Sequence, residues 1–445
     1  MTDIPIFYET AQVGVITADA GLYAFTYDPD WITRPGAFPI SVLASFKSGG
    51  MAPAQFTPWL TNLLPEGDAL AAVGQNLGAA TQDVLGILEQ IGGDTAGALS
   101  IGGPAVRGTP THRVIPDEAS LEKIIEDLPR RPFLAGEDGV SMSLAGAQNK
   151  LPVTLVDSKI AIPLNGAPST HILKPDNSRL EGSVQNEALC MVLAKRIGLN
   201  TANVTTGRAG KRTYLLVERY DRRAGASGPA RLHQEDFCQA LGKPPAAKYQ
   251  HNQVGIRGPS LRDMFGVVRQ YMPATDLLAL LDAVILNVLM TNVDSHAKNY
   301  SIMLSGKVVR LAPLYDLMAG DAWPDITLNM AQDIGGQRRG KHVEAKNWRR
   351  FAEECQFNPA QVIRRVQSVS KRVSDALDAA AEEVRGMPAG DHFMLNVFVE
   401  KIKARVKTVN TNLTENTNAE RMTDFDPATI IDGFRSLVGR SNNRF

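Results

Sequence analysis

The chain has 445 residues, 44% hydrophobic and 21% charged, with 47 basic residues balanced by 47 acidic ones. That length suits two or three lobes with a cleft between them, and the composition excludes a disordered or fibrous chain. Charge balance removes the global attraction to nucleic acid or anionic membrane that a basic chain has, so a nucleic-acid role must be local or borrowed from a partner.

The N-terminus, residues 1–10, carries acidic residues and no Arg or Lys before an apolar run. It does not read as a signal or transit peptide, and a cytoplasmic location is expected. Short extended runs at 14–17 and 22–27 then mix with helical stretches around 56–64 and 83–88, the pattern of a small α+β domain. Residues 102–116 hold Pro104, Gly108, Pro110 and Pro116, which suits a linker or crossing loop. A first subdomain is therefore placed at 1–115.

From Leu151 the pattern turns to β, with runs at 151–156, 159–163 and 170–174 separated by Asp157-Ser158 and Asn165-Gly166. This predicts an antiparallel meander. Ser183 reads as the N-cap of a helix running to Ile197, with Gly198 past its end, and a strand pair follows at 203–208 and 213–219. Residues 116–240 thus form a β-rich nucleotide-binding lobe. Beyond it the signals are helical, at 261–270, 275–289, 348–355, 359–383 and 394–409, so 241–445 is a larger, mainly helical lobe. The apolar run 277–290 contains Asp282 and Asn287 and is shorter than the roughly 20 residues a bilayer requires, so it predicts a buried helix rather than a membrane span. The polar stretch 410–418 is expected to be mobile. Cys190, Cys238 and Cys355 lie far apart and suit core positions better than a zinc or redox pair.

The sharpest chemical signal is Asn292-Val-Asp294-Ser-His296-Ala-Lys298-Asn299, directly after the buried helix. A carboxylate and an amide five positions apart in a tight loop can converge, the carboxylate as base for a hydroxyl nucleophile and the amide oxygen as Mg²⁺ ligand. Ordinary turn and capping roles suit the same residues. Next comes 308–316, read as a strand ending in Asp316, either a second metal ligand shared with ATP or the N-cap of a following helix. Lys174 closes an apolar strand before Pro175, where an ammonium could meet ATP phosphates or simply be solvated, and Glu187 on the next helix could hold it. The loop 141–150, rich in small residues, could bring backbone N–H groups to phosphate. Neither G-x-x-x-x-G-K-[ST] nor G-x-S-x-G occurs, so a P-loop NTPase or α/β-hydrolase would lack its machinery.

Taken together, Ser143-Leu-Ala-Gly-Ala-Gln-Asn-Lys150, His171-Ile-Leu-Lys-Pro175, Asn186-Glu187, Val217-Glu-Arg-Tyr-Asp-Arg222, Gln234-Glu-Asp236, Asp294-Ser-His-Ala-Lys-Asn299 and Leu311-Ala-Pro-Leu-Tyr-Asp316 resemble the HipA family of bacterial serine/threonine kinase toxins. Asn62-Leu-Leu-Pro-Glu-Gly67 and Asp94-Thr-Ala-Gly-Ala98 carry the likeness into the N-terminal subdomain. The resemblance implies a two-lobed, kinase-like α+β fold that uses ATP and Mg²⁺. It implies that Ala145, Gly146, Ala147, Gln148, Asn149 and Lys150 cover the phosphates and that Lys174, paired with Glu187, contacts phosphate. The backbone of Glu218, Arg219 and Tyr220 would form the adenine hinge, and Gln234 would also bind the nucleotide. Asp294 would be the base, His296, Ala297, Lys298 and Asn299 would complete the nucleotide site, and Asn299 with Asp316 would hold the metal. Autophosphorylation maps to Ser143, or secondarily Ser141. The implied partners are a helix-turn-helix antitoxin of the HipB type, operator DNA through it, and a substrate such as an aminoacyl-tRNA synthetase, glutamyl-tRNA synthetase being the family's best-known target. The alternative functions are an idle kinase-like scaffold acting as co-repressor and a small-molecule phosphotransferase. The basic clusters Arg338-Arg339-Gly-Lys341 and Arg349-Arg350 suit solvated surface, with phosphate contact as the other possibility.

Overall fold

The structure, a computed structural model, describes residues 2–225, 228–306 and 308–423. The remainder of the predicted 241–445 lobe, from residue 424, lies outside them.

The N-terminal chain folds into a five-stranded antiparallel sheet in the order Gly50–Met51, Leu22–Tyr27, Ala11–Asp19, Thr2–Tyr8, Leu99–Ile101. Alternation decides its inner face: Tyr23, Phe25 and Tyr27 of one strand point into the core, where Phe25 stacks on Phe56 of the helix Pro53–Thr61 at 5.5 Å between centroids. Phe56 and Trp59 are fully buried, a contribution of about 2–3 kcal/mol each before chain entropy is counted.

A six-stranded antiparallel sheet follows, ordered Val204–Ala209, Arg212–Glu218, His171–Pro175, Leu151–Val156, Lys159–Leu164, Thr111–Val114. It is not the predicted meander. The strand His171–Pro175 passes its chain neighbour and pairs with Leu151–Val156, setting Leu151 opposite Leu173 so that both are buried in one core. The segment read as a linker supplies the edge strand Thr111–Val114. Across this sheet lies the helix Ser183–Arg196, buried without interruption from Val184 to Ala194. It starts one residue from the predicted cap. Gly182 takes the left-handed N-cap position at φ 74°, and the Ser183 hydroxyl instead accepts from the Asn177 amide.

The helical lobe comprises Leu261–Tyr271, Ala274–Met290, Ala345–Glu354, Pro359–Arg385 and Met394–Thr423. Ala274–Met290 is its buried centre, and its two interrupting polar residues are both paired: Asp282 with Arg365 and Arg372, Asn287 with Tyr300 and Asn292. Among the described residues no helix is long and apolar enough to cross a membrane. The stretch expected to be mobile from residue 410 continues the last helix to Thr423. Val409 and Leu413, one helical turn apart, are buried, and the Asn412 amide donates to the carbonyls of Lys341 and Val343. All three cysteines are buried and free.

A buried polar joint ties the N-terminal subdomain to the β lobe. The Asp94 carboxylate accepts from Arg222, Arg231 and Ser169, while Asp221 accepts from Arg219 and from the Gly97 amide. Burial opposes the charge on Asp94, but Arg222, Arg219 and Arg231 outweigh it and hold the carboxyl far below its usual range.

Candidate active site

A cleft of about 390 Å³ opens between the β lobe and the helical lobe. Lys174, Glu187, Asp294, Asn299 and Asp316 all line it, as do Lys150, Glu218, Tyr220, Gln234 and His296.

On the β side, the strand His171–Pro175 carries Lys174 inward, where its Nζ donates to Glu187 Oε1 at 2.6 Å and to Asp316 Oδ1 at 2.8 Å. The ammonium is buried rather than solvated. Burial disfavours its charge, yet Asp316 and Glu187 overcome that and raise its pKa well above the ordinary lysine value. Asp316 shows the converse: burial alone would raise it, but Lys174 and Lys150 pull it down to about 2.

The expected strand into Asp316 ends early, at Leu311, before Pro313. Asp316 lies in irregular chain with φ 58°, and no helix begins there, so the N-cap role falls away.

On the helical side, Thr291 ends Ala274–Met290 in a left-handed cap and releases the chain into the loop 292–299. Three bonds fold this loop: the His296 amide donates to Asp294 O at 2.7 Å, the Asn299 amide to His296 O at 2.8 Å, and Asn299 Nδ2 to Asp294 O at 2.7 Å. Asp294 and Asn299 thus line the same cleft, as their spacing predicts. Because the Asn299 amide nitrogen is committed, its oxygen remains as a ligand atom. Asp294 keeps 45% of its side-chain surface open to the cleft but is otherwise packed in protein. Burial pushes its carboxyl up to about 6 against a hydrogen bond from the Tyr249 hydroxyl, with the Asp316 charge adding to the rise.

His296 is held neutral, burial and Lys248 pulling it down to about 3, and its Nδ1 has no partner among the described residues. The Lys298 ammonium is committed elsewhere, to Asn62 Oδ1 at 2.6 Å and Asp236 Oδ2 at 2.7 Å. Ala297 is fully buried, its amide donating to Lys248 O, and is not part of the cleft wall.

The loop from Ala145 to Lys150 closes over the cleft. Gly146 sits at φ 105°, and its carbonyl accepts from the Glu66 amide. Lys150 Nζ donates to Ala145 O at 2.6 Å, and burial drives its pKa down to about 8 against the attraction of Asp316. Ala147 and Gln148 line the cleft and Asn149 is exposed outside it. Ser143 is fully buried, its hydroxyl donating to Leu63 O at 2.7 Å, while the Ser141 hydroxyl donates to Gln90 O at 2.8 Å.

At the hinge expected from the sequence, the Glu218 and Arg219 amides already donate to the carbonyls of Asn203 and Thr170. The Arg219 guanidinium belongs to the buried joint, bonded to Asp221, Ser169 and Thr95. Tyr220 packs beside Tyr315 at 5.7 Å, and its hydroxyl donates to Gln234.

Three residues at the site have no role in the sequence reading. Asn62 and Glu66 lie in a recognised motif that spacing alone left without chemistry. Tyr249 lies in irregular chain with no motif at all. Among the described residues no cluster of three or more His, Cys, Asp or Glu side chains suits a metal. One carboxylate and one amide oxygen instead suit a hard cation held jointly with phosphates.

Residues 142–377 match the HipA-like C-terminal domain family and residues 4–102 the HipA N-terminal domain family. The putative kinase Y4mE of Sinorhizobium fredii is 36% identical over 92% of this chain and 98% of its own length. The serine/threonine-protein kinase toxin HipA of Shewanella oneidensis is 29% identical over 84% of this chain and 87% of its own. The solved Shewanella oneidensis HipA, in complex with HipB and operator DNA, superposes with a TM-score of 0.82 at 26% identity, covering 93% of this chain and 98% of that one. The chain therefore belongs to the HipA family of serine/threonine-protein kinases.

Proposed function

We propose that this cleft binds ATP with Mg²⁺ and transfers the γ-phosphoryl group to a serine or threonine hydroxyl of a protein, with Asp294 as base. The observation that carries this reading is the convergence on one cleft of Asp294, Asn299, Asp316 and a buried Lys174–Glu187 pair. Asn299 Oδ1 and the Asp316 carboxylate would hold the metal, which when bound neutralises phosphate charge. Lys174 and Lys150 supply the protein's own cations at the phosphates, and Gly146 lets the loop approach closely. With the Glu218 and Arg219 amides engaged, the Glu218 carbonyl and the Tyr220 amide are the hinge groups left for adenine. A carboxyl raised to about 6 is still ionised at neutral pH and basic enough to take the acceptor's proton.

The same reading makes the protein the toxin of a toxin–antitoxin pair, inhibiting translation through an aminoacyl-tRNA synthetase such as glutamyl-tRNA synthetase. Its partner would be a HipB-type antitoxin that links it to operator DNA, as in the complex of the Shewanella oneidensis relative. Self-inactivation would follow from phosphorylation of Ser143, or secondarily Ser141. Ser143 is buried, so the loop must leave before its hydroxyl can be an acceptor. A dianionic phosphoserine could neither donate to Leu63 O nor fit its site, and would keep the loop out. The idle-scaffold alternative is opposed by a complete set of chemical groups. Phosphoproteomics of cells making the chain or its Asp294→Asn variant tests activity and target together. Phosphosites that depend on Asp294 are expected, and their absence would favour the scaffold.

A further inference from the structure

We propose that Tyr249 is a positioning residue for phosphoryl transfer, fixing the Asp294 carboxylate so that its second oxygen faces the acceptor hydroxyl. This rests on Asp294 acting as the base. The Tyr249 hydroxyl donates to Asp294 Oδ1, and among the described residues no group donates to Oδ2. A carboxylate held at one oxygen cannot rotate freely, and the other oxygen keeps its lone pairs for the incoming hydroxyl.

The segment bearing Tyr249 is fixed on both sides, as a positioning element requires. Lys248 O accepts from the Ala297 amide in the catalytic loop, and Lys248 Nζ bridges to Glu66 at 2.8 Å. On the far side the Gln250 amide donates to Ala331 O, and the Gln250 side chain donates to Asp333 at 2.8 Å. The Tyr249 ring meets His296 edge-on at 5.1 Å. A mobile plug in the acceptor position would not be tied to the catalytic loop and to a neighbouring hairpin at once.

Tyr249→Phe keeps the ring and removes only the hydroxyl. In the purified full chain with ATP and Mg²⁺, ADP release and phosphate incorporation by intact mass should both fall about tenfold in kcat, with KM for ATP within about twofold and an unchanged melting temperature. In an Asp294→Asn background the same substitution should change the residual rate by less than about twofold, because the residue acts through Asp294. An unchanged or raised kcat would overturn the proposal, and so would a loss that tracks melting temperature or persists undiminished beside Asp294→Asn. A wild-type chain releasing no ADP would instead remove the kinase reading, and this proposal with it.

Discussion

Lys174 joins the proposed chemistry to the packing of the fold. Read as the end of an apolar strand, it could have been a solvated cation whose loss costs little stability. Buried between Glu187 and Asp316, it neutralises two carboxylates that otherwise face each other. Lys174→Met should therefore abolish nucleotide use and also destabilise the fold by about 3 kcal/mol at neutral pH, checked by urea denaturation. An unchanged denaturation midpoint would contradict the buried triad. Asp316→Asn should behave differently, since Lys174 keeps Glu187: transfer falls at least about a hundredfold in a rate assay while the protein stays folded. Asp294 and Asn299 were legible because their spacing within one short loop sets their geometry. Tyr249 was not, because only the tertiary course of an irregular segment brings it to Asp294.

At the scale of elements, the proposed phosphate loop is held closed by bonds to the N-terminal subdomain: Ser143 Oγ to Leu63 O and the Glu66 amide to Gly146 O. Ser143→Ala loses one buried hydrogen bond, about 1 kcal/mol, and should leave the loop closed. Ser143→Asp places an acceptor-only carboxylate against the Leu63 carbonyl and should expel it. Limited proteolysis across 141–150 should thus cut the aspartate variant much faster than the alanine variant. Equal cutting would mean that the Leu63 contact does not hold the loop.

The long helices of the C-terminal lobe and the strands between 151 and 219 were legible from their periods, but sheet order was not, since pairing between Leu151–Val156 and His171–Pro175 depends on which strands share a core. The edge strand Thr111–Val114 is exposed at every position and so carries no hydrophobic alternation to read. The last helix hid its extension because a single apolar residue, Leu413, anchors a polar stretch.

For the whole molecule, the N-terminal subdomain is continuous with the β lobe: one hydrophobic core runs from Phe25 and Trp59 to Leu151 and Leu173. His233 marks this junction, buried, stacked on Phe38 and bonded to the Ile40 carbonyl, with its pKa lowered to about 4 chiefly by burial. The unfolded chain protonates this histidine first as pH falls. Its contribution is thus complete above pH 6.5 and is lost progressively as pH drops toward 4, to a total of about 3 kcal/mol. Between pH 7 and 5 the urea midpoint of the wild type should fall relative to that of His233→Leu, which lacks this titration and starts from a lower plateau. The activity proposed for the cleft is phosphoryl transfer with Asp294 as base. Its most direct measurement is transfer of labelled γ-phosphate to protein by the purified chain with Mg²⁺, beside Asp294→Asn. Transfer by the wild type and at least about a hundredfold less by the folded variant is the predicted result, and equal rates in the two would contradict the account.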